Sequence, residues 1–232
     1  GPADRDYIRF NLPGTTVDDR TIILDKLELP ALTSNIEIDG TTQPGTPFGI
    51  SNAKVKILKT SLVGAGYFHM LKIYFAEDVA IYGLFLDFRI PETGAYGISL
   101  FNSSNITIGA TGKGNVLNAA GGSVGSDVVS PGKSENIHIS YNIIGMEPDG
   151  ITVAGLGAQA RINLRSSGDV EIDHNQISAE TIMEEFPASV PNPSSRIYHV
   201  HDNLFGTDRT GTLAVGVSRM LIPQLKPSPR LD

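Results

Sequence analysis

The chain has 232 residues, of which 40% are hydrophobic and 19% charged, with a formal net charge of −7. This balance excludes a disordered tail, and an acidic chain without a cluster of Lys and Arg is not expected to bind nucleic acid. No run of about 18 apolar residues occurs, so no membrane insertion is expected, and the absence of cysteine excludes disulfides and thiolate metal sites.

The N-terminal region differs in pattern from the rest of the chain. Gly1-Pro2 matches the remnant of a cleaved expression tag. Residues 3–33 contain short apolar segments that precede a repeat beginning near Asn35. An open solenoid end would expose strand edges, so residues 3–33 are predicted to form an N-terminal cap.

A short alternating phrase recurs from Asn35 onwards. Each copy starts with Asn or Asp and continues with alternate apolar residues, which predicts a strand with one buried face. The copies begin at Asn35, Asp78, Asn105, Asn136 and Asp169, and an altered copy runs from Arg196 to His201. The later copies are about 27 to 33 residues apart, the length of one coil of three short strands. Residues 34–222 are therefore predicted to form an all-β fold, a single-stranded right-handed parallel β-helix.

Three late copies carry an asparagine three residues after their central apolar residue. These are Asn142, Asn175 and Asn203. Asparagine tolerates the left-handed conformation, so we expect each of them to bend the chain. Stacked coils would then let the side-chain amides hydrogen-bond to one another as a structural ladder.

Two long turns share the pattern Gly-x-acidic-x-x-Gly, at Gly145 to Gly150 and Gly206 to Gly211. Long loops on a rigid scaffold often carry function, so Glu147 and Asp149 are candidate carbohydrate-binding residues on a groove wall. Alternatively, acidic residues in these turns cap backbone amides or bind calcium. The final segment, residues 223–232, is predicted to be a C-terminal tail or a truncated coil of a longer chain.

Aligning the copies on their central apolar residue produces two outward-facing columns of side chains. In the last three copies these columns bring five residues onto one outer patch: His138, Glu171, His199, Asp173 and His201. Imidazoles and carboxylates at the strand spacing of about 4.8 Å are typical of a zinc or other transition-metal site, or of an acid/base pair. The alternative is a solvated polar surface.

A neighbouring strand presents Arg161, Asn163 and Arg165 as outward-facing residues. Guanidinium groups bind carboxylates bidentately, which favours an acidic glycan as the ligand of this strand. The alternative is a solvated pair of arginines.

The run Ile36-Glu37-Ile38-Asp39-Gly40-Thr41-Thr42-Gln43-Pro44-Gly45, the asparagine ladder and the Gly206-Thr207-Asp208 phrase resemble right-handed β-helix repeat proteins of the pectate-lyase-like superfamily. They are most similar to β-helix segments of large secreted or surface bacterial proteins. The resemblance covers nearly the whole chain and implies carbohydrate on a strand face, with an Arg as the base in lyases. The polygalacturonase triple (Asn-Thr-Asp, Gly-His-Gly, Arg-Ile-Lys) and the Asp-Pro-His-Asp motif of alginate epimerases do not occur.

These observations predict an extracellular module, secreted or on the cell surface, that binds glycan or mediates adhesion without catalysis. A polysaccharide lyase or glycoside hydrolase acting on the β-helix face is one alternative, and a structural spacer is another. No cofactor is required, with calcium or another divalent metal as an option. A polysaccharide or surface glycan is the expected partner, and the chain is expected to be a monomer or part of a longer protein.

Overall fold

The computed structural model describes residues 4–25, 28–60, 68–88, 96–119, 122–126, 134–155, 161–164, 168–178, 180–182, 197–216 and 219–221. Within these ranges the helices are two single turns of 3-10 helix, η1 (Asp18–Arg20) and η2 (Gly40–Thr42). No helix in the described part of the chain has the length and apolarity needed to cross a membrane.

Three parallel sheets form the walls of a solenoid, and each coil from β3 onwards adds one strand to each wall. Sheet A contains β1 (Asp6–Arg9), β3 (Ile36–Asp39), β6 (Glu77–Tyr82), β9 (Ser104–Ile108), β12 (Glu135–Ser140), β15 (Gly168–Asp173) and β18 (Tyr198–His201). Sheet B contains β2 (Thr21–Leu24), β4 (Val55–Lys59), β7 (Leu84–Phe88), β10 (Val116–Ala119), β13 (Ile143–Ile144), β16 (Gln176–Ile177) and β19 (Leu204–Phe205). Sheet C contains β5 (His69–Tyr74), β8 (Tyr96–Phe101), β11 (Gly122–Ser126), β14 (Ile162–Asn163), β17 (Glu180–Ile182) and β20 (Arg219–Leu221). The prediction of an all-β parallel solenoid is confirmed.

The core consists of apolar columns that run through successive coils. In sheet A, Val79, Ile106, Ile137 and Val170 lie in register, and each is 1% exposed. A second column, two residues further along each strand, contains the central apolar residues of the repeated phrase. The period-two alternation of that phrase therefore reports which residues enter the core.

Left-handed backbone occurs in columns, as the apolar residues do. The first column contains the Asn or Asp that opens each phrase: Asn35, Asp78, Asn105, Asn136 and Asp169, with φ between 60° and 52°. These residue types tolerate positive φ better than most, which explains why they recur at this position.

The bend after sheet A contains a second left-handed column. Here the positive φ belongs to Tyr141, His174 and Asp202, the residues that precede the ladder asparagines. The expectation that Asn142, Asn175 and Asn203 themselves adopt the left-handed conformation is therefore wrong. The preceding residue makes the bend, and each asparagine side chain is thereby directed towards its neighbours in the stack.

The asparagines form a continuous hydrogen-bonded ladder through four coils. The side-chain amide of Asn115 donates to Asn142 Oδ1 at 2.9 Å, that of Asn142 to Asn175 Oδ1 at 3.0 Å, and that of Asn175 to Asn203 Oδ1 at 3.0 Å. The same oxygens accept the backbone N–H groups of Asn115, Asn142 and Asn175. Asn115 was not predicted as a ladder residue because its coil contains an additional turn between Gly109 and Asn115.

The segment predicted to be a cap continues the sheets. β1 pairs with β3, β2 pairs with β4, and Leu32 bridges to Ile73 of sheet C. The described residues before β3 thus form a coil of their own, and its capping role stays a prediction. At the other end, β20 pairs with β17 in sheet C, and residues 222–232 lie outside the described part.

Candidate functional site

The last three strands of sheet A bring imidazole and carboxylate groups together on the outer face. Pairing places His138 beside Glu171 and Asp173 beside His201, as the alignment of the repeats predicted. His174 follows β15 directly in the bend. We call His138, Glu171, Asp173, His174 and His201 the histidine–carboxylate cluster.

Asp173 is the centre of the cluster. His138 Nε2 lies 2.5 Å from Asp173 Oδ1, and His174 Nδ1 lies 2.6 Å from Asp173 Oδ2. The residue is only 6% exposed. Burial by itself raises the pKa of this carboxyl, but the hydrogen bonds from His174 and His138 outweigh it and hold the pKa below its ordinary value of 3.8. Asp173 is therefore a carboxylate at neutral pH.

Glu171 lies between two imidazoles. Its Oε2 is 3.8 Å from His138 Nε2, and its Oε1 is 3.3 Å from His201 Nε2. The other ring nitrogen of His201, Nδ1, is 2.9 Å from Asp202 Oδ2. The hydrogen bonds with Asp202 and then Glu171 raise the pKa of His201 above its ordinary value of 6.5.

His199, the fifth residue of the predicted metal patch, does not take part in the hydrogen bonds of this cluster. It is exposed and in register with Glu171, but among the described residues its side chain makes no hydrogen bond or ion pair. The structure therefore brings together four of the five predicted residues and adds His174. His174 could have been included from the sequence because it precedes a ladder asparagine, and the bend there turns its ring outward.

A pocket of about 390 Å³ adjoins the cluster at the bend between sheets A and B. Its lining includes Asn52, Tyr141, His174, Asp202 and Arg209. The rings of Tyr141 and His174 stack with their centroids 4.7 Å apart and their planes 8° apart. The pocket thus shares His174 with the cluster, and it also contains Asp202, the hydrogen-bond partner of His201.

The predicted glycan strand is less exposed than the sequence indicated. Asn163 lies between the core residues Ile162 and Leu164 and is 6% exposed, so the expectation that it faces solvent is wrong. Arg161 is half-buried and has an interaction partner. Arg165 lies outside the described residues.

The acidic turn residues contribute to their own turns. Asp149 accepts hydrogen bonds from the backbone N–H groups of Ile151 and Thr152 and from the Thr152 hydroxyl. The backbone N–H of Glu147 donates to Thr152 O, which closes the same turn. Asp208 repeats this capping arrangement in the later turn. This matches the capping alternative and leaves the Asp149 carboxylate engaged within the turn.

Sequence reasoning missed an aromatic surface on sheet C. Five rings form a chain of contacts: Tyr96–His69 with ring centroids 5.7 Å apart, His69–Tyr74 at 6.3 Å, Tyr74–Phe101 at 5.8 Å and Phe101–Phe75 at 5.1 Å. We call these five residues the aromatic array. Strand pairing aligns His69 with Tyr96 and Tyr74 with Phe101. The two members of each pair are 27 residues apart in the sequence, as are Asp78 and Asn105. This equal spacing could have predicted the pairing.

Two features show that the array is not part of the core. The core beneath it is closed by Leu71, Ile73 and Ile98, which are at most 2% exposed, whereas Phe75 is 69% exposed. Gly125 leaves room for the Tyr96 ring, since a Cβ at Gly125 would lie 2.2 Å from Tyr96 Cε1. The rings therefore lie on the outer surface of the sheet.

No protein-family model matches this chain, and searches of curated proteins and of solved structures likewise found no match.

Proposed function

We propose that the chain is a non-catalytic glycan-binding module of a secreted or cell-surface protein, with the glycan lying across the outer face of sheet C. The observation that carries this proposal is the aromatic array. Membership of the pectate-lyase-like superfamily and a bacterial origin are part of the same proposal. The parallel solenoid and the motifs from Ile36 to Gly45 support them.

Aromatic rings suit sugars because the two surfaces are complementary. The C–H groups on one face of a pyranose carry partial positive charge, and an aromatic face carries partial negative charge. Stacking also removes apolar area of both partners from water. A row of rings across two coils therefore offers a surface for adjacent sugar units.

Phe75 carries the strongest sign of a ligand-binding role. It has φ of 54°, a conformation that is unfavourable for a bulky residue, and most of its ring is exposed to solvent. The aligned residue of the next coil, Asn102, has φ of 47° and belongs to a type that tolerates it. Neither local backbone preference nor core packing explains a phenylalanine at position 75, and contact with a glycan is the role that we propose for it.

The charges near the array favour stacking over ion pairing. Lys72, on the same strand as two array residues, pairs with Glu28 at 2.6 Å. The Tyr74 hydroxyl lies 3.4 Å from Ser99 Oγ, so polar groups that can bind sugar hydroxyls adjoin the rings. We therefore expect an uncharged glycan rather than the acidic one suggested by Arg161 and Arg165.

A glycan array probed with wild type and Phe75→Asn tests the proposal. Asparagine keeps a residue suited to positive φ, so folding stability should not decrease, while binding to the wild-type hits should weaken at least about tenfold. Ile23→Asn is the matched control. Ile23 is 60% exposed and lies on sheet B, away from the array, so its loss should leave binding unchanged.

The competing functions give different results. Binding that survives Phe75→Asn contradicts the role of the array. Release of shorter sugars from a bound glycan during long incubation would establish the lyase or hydrolase alternative. If wild type retains no glycan, whether neutral or uronate-containing, a structural spacer or an adhesin that binds protein replaces this proposal.

A further inference from the structure

The histidine–carboxylate cluster has the composition of a metal site, and its chemistry is separate from sugar stacking. Three of its ligand atoms, one each from His138, Glu171 and Asp173, lie within 4.8 Å of one another. Four of the five histidines of the chain lie at this end of sheet A. We propose that His138, Glu171 and Asp173, together with His201, bind a divalent transition-metal ion such as Zn²⁺.

Two of the distances between neighbouring donor atoms are close to those that a tetrahedral ion requires. Ligand atoms that bind zinc at about 2.0 to 2.2 Å lie about 3.3 to 3.6 Å apart. Glu171 Oε2 is 3.8 Å from His138 Nε2, and the other carboxylate oxygen, Oε1, is 3.3 Å from His201 Nε2. The hydrogen bond between His138 and Asp173 is shorter, at 2.5 Å. It has to lengthen by about 1 Å when an ion replaces the shared proton, a displacement within reach of the half-exposed His138 ring.

Outer partners already orient two of the ligands. Asp202 accepts a hydrogen bond from His201 Nδ1, which directs Nε2 towards Glu171. His174 Nδ1 donates to Asp173 Oδ2 and leaves Oδ1 towards His138. Carboxylate–histidine pairs of this kind fix ring orientation and increase ligand basicity in metal proteins.

At the N-terminal end of the same sheet, Arg and Lys side chains supply the positive charge for the carboxylates of these two columns. Glu37 and Asp39 occupy the columns of Glu171 and Asp173, and they pair with Arg9 and Lys113. Within the described residues, neither Glu171 nor Asp173 pairs with a Lys or Arg, and imidazoles surround them instead. A bound cation would supply the charge that Arg9 and Lys113 provide at the other end.

The donor set selects among metals. Two imidazoles and two carboxylates suit zinc and neighbouring transition metals, whereas calcium prefers six to eight oxygen ligands. The site is therefore expected to discriminate against calcium, and the rigid strands β12, β15 and β18 hold its ligands in register.

Isothermal titration of chelator-treated, tag-free protein with ZnCl₂ tests the site. We expect one zinc ion per chain with a micromolar or smaller dissociation constant, and no binding of CaCl₂ at the same concentrations. His138→Gln and Glu171→Gln should each weaken zinc binding at least about tenfold. Both side chains are about half exposed, so circular dichroism of the variants should match wild type. Co²⁺ added in place of zinc should give the visible absorption of a tetrahedral complex.

His199→Gln is the matched control, because His199 is an exposed histidine on the same strand as His201 and, within the described residues, its side chain makes no hydrogen bond or ion pair with the cluster. Its zinc affinity should equal that of wild type. Absence of zinc binding, equal losses in all three variants, or equal affinity for calcium would each overturn the proposal.

Discussion

The two ends of sheet A contain the same pair of carboxylates, Glu and Asp, but the side chains that contact them differ. At the N-terminal end, Arg9 and Lys113 lie 3.0 and 2.7 Å from Asp39. At the C-terminal end, histidines contact Asp173. Arg and Lys keep their charge across the physiological pH range, whereas histidine changes charge within it and binds metals. Identical columns of the repeat can therefore support a purely structural network at one end and a responsive site at the other.

The bend that follows the strands of sheet A also differs between the two ends. In the coil of β6, Gly83 takes the left-handed position and Leu84 follows it. In the C-terminal coils, Tyr141, His174 and Asp202 take this position above the asparagine ladder. Larger residues at positive φ cost about 1 to 2 kcal/mol each. The hydrogen bonds of the ladder therefore offset this cost, and the bend can hold larger side chains such as that of His174 on the surface.

The largest expected effect comes from breaking the ladder at its centre. Asn175→Ala removes the acceptor of both the backbone and side-chain N–H groups of Asn142, and the donor to Ile139 O. Because these groups are buried, the free energy of unfolding should fall by about 3 kcal/mol in urea titrations.

Asn105→Gly is the control for this loss. Asn105 belongs to the exposed column at the start of the strands, where it donates to Asp78, and glycine accepts its φ of 56°. The change should stay within about 0.5 kcal/mol. Equal losses in the two variants would mean that the buried ladder has no special role.

A smaller difference is expected between the two carboxylates. Asp39→Asn, measured at pH 7 in the presence of a chelator, should cost about 2 kcal/mol because it removes charged hydrogen bonds at a residue 2% exposed. Asp173→Asn should cost about 1 kcal/mol under the same conditions, since its hydrogen-bond partners are the imidazoles of His138 and His174 and not permanently charged Arg and Lys side chains. If Asp173→Asn costs more than Asp39→Asn without metal, the contrast between the two ends is wrong.

Acid should abolish the difference in stability between wild type and Asp39→Asn. Burial raises the pKa of Asp39, but hydrogen bonds from Lys113 and Thr41, with the charge of Lys113, outweigh it and hold the pKa below the ordinary 3.8. A carboxyl whose pKa is lowered by folding stabilises the protein above its unfolded value, and this contribution disappears as the pH falls through the folded value. Urea midpoints of wild type and Asp39→Asn should therefore differ by a constant amount from pH 5 to pH 8 and converge below pH 3.8. A gap that also closes between pH 5 and pH 8 would contradict this assignment.

Much of the fold could be predicted because a solenoid uses the same register in every coil. The phrase that contains Ile139 and Ile172 reports burial directly, and the predicted columns coincide with the observed pairing of His138 with Glu171 and of Asp173 with His201. Local alternation sufficed here, since in-register parallel stacking turns sequence alignment into spatial contact.

Other features depend on contacts that alternation does not encode. The burial of Asn163 on the outer side of its strand is one, because the pattern assigns a side of the sheet but not what covers it. The aromatic array is another, since the strands of sheet C carry no repeated phrase and the space for Tyr96 comes from Gly125 in the next coil. Asn115 was missed because an insertion changes its distance from the phrase while leaving its place in the stack.

The parallel stacking also has a mechanical consequence. All strands lie across the solenoid axis, so the hydrogen bonds of the sheets and of the ladder point along it. A pull along the axis loads these bonds one layer at a time, and the chain should unspool coil by coil from an end. A coil of 27 to 33 residues occupies about 4.8 Å of the axis when folded and releases on the order of 100 Å when extended. Under tension the solenoid would thus lengthen about twentyfold in discrete steps. In the coils that contain the ladder, each step would break the hydrogen bonds of one asparagine side chain.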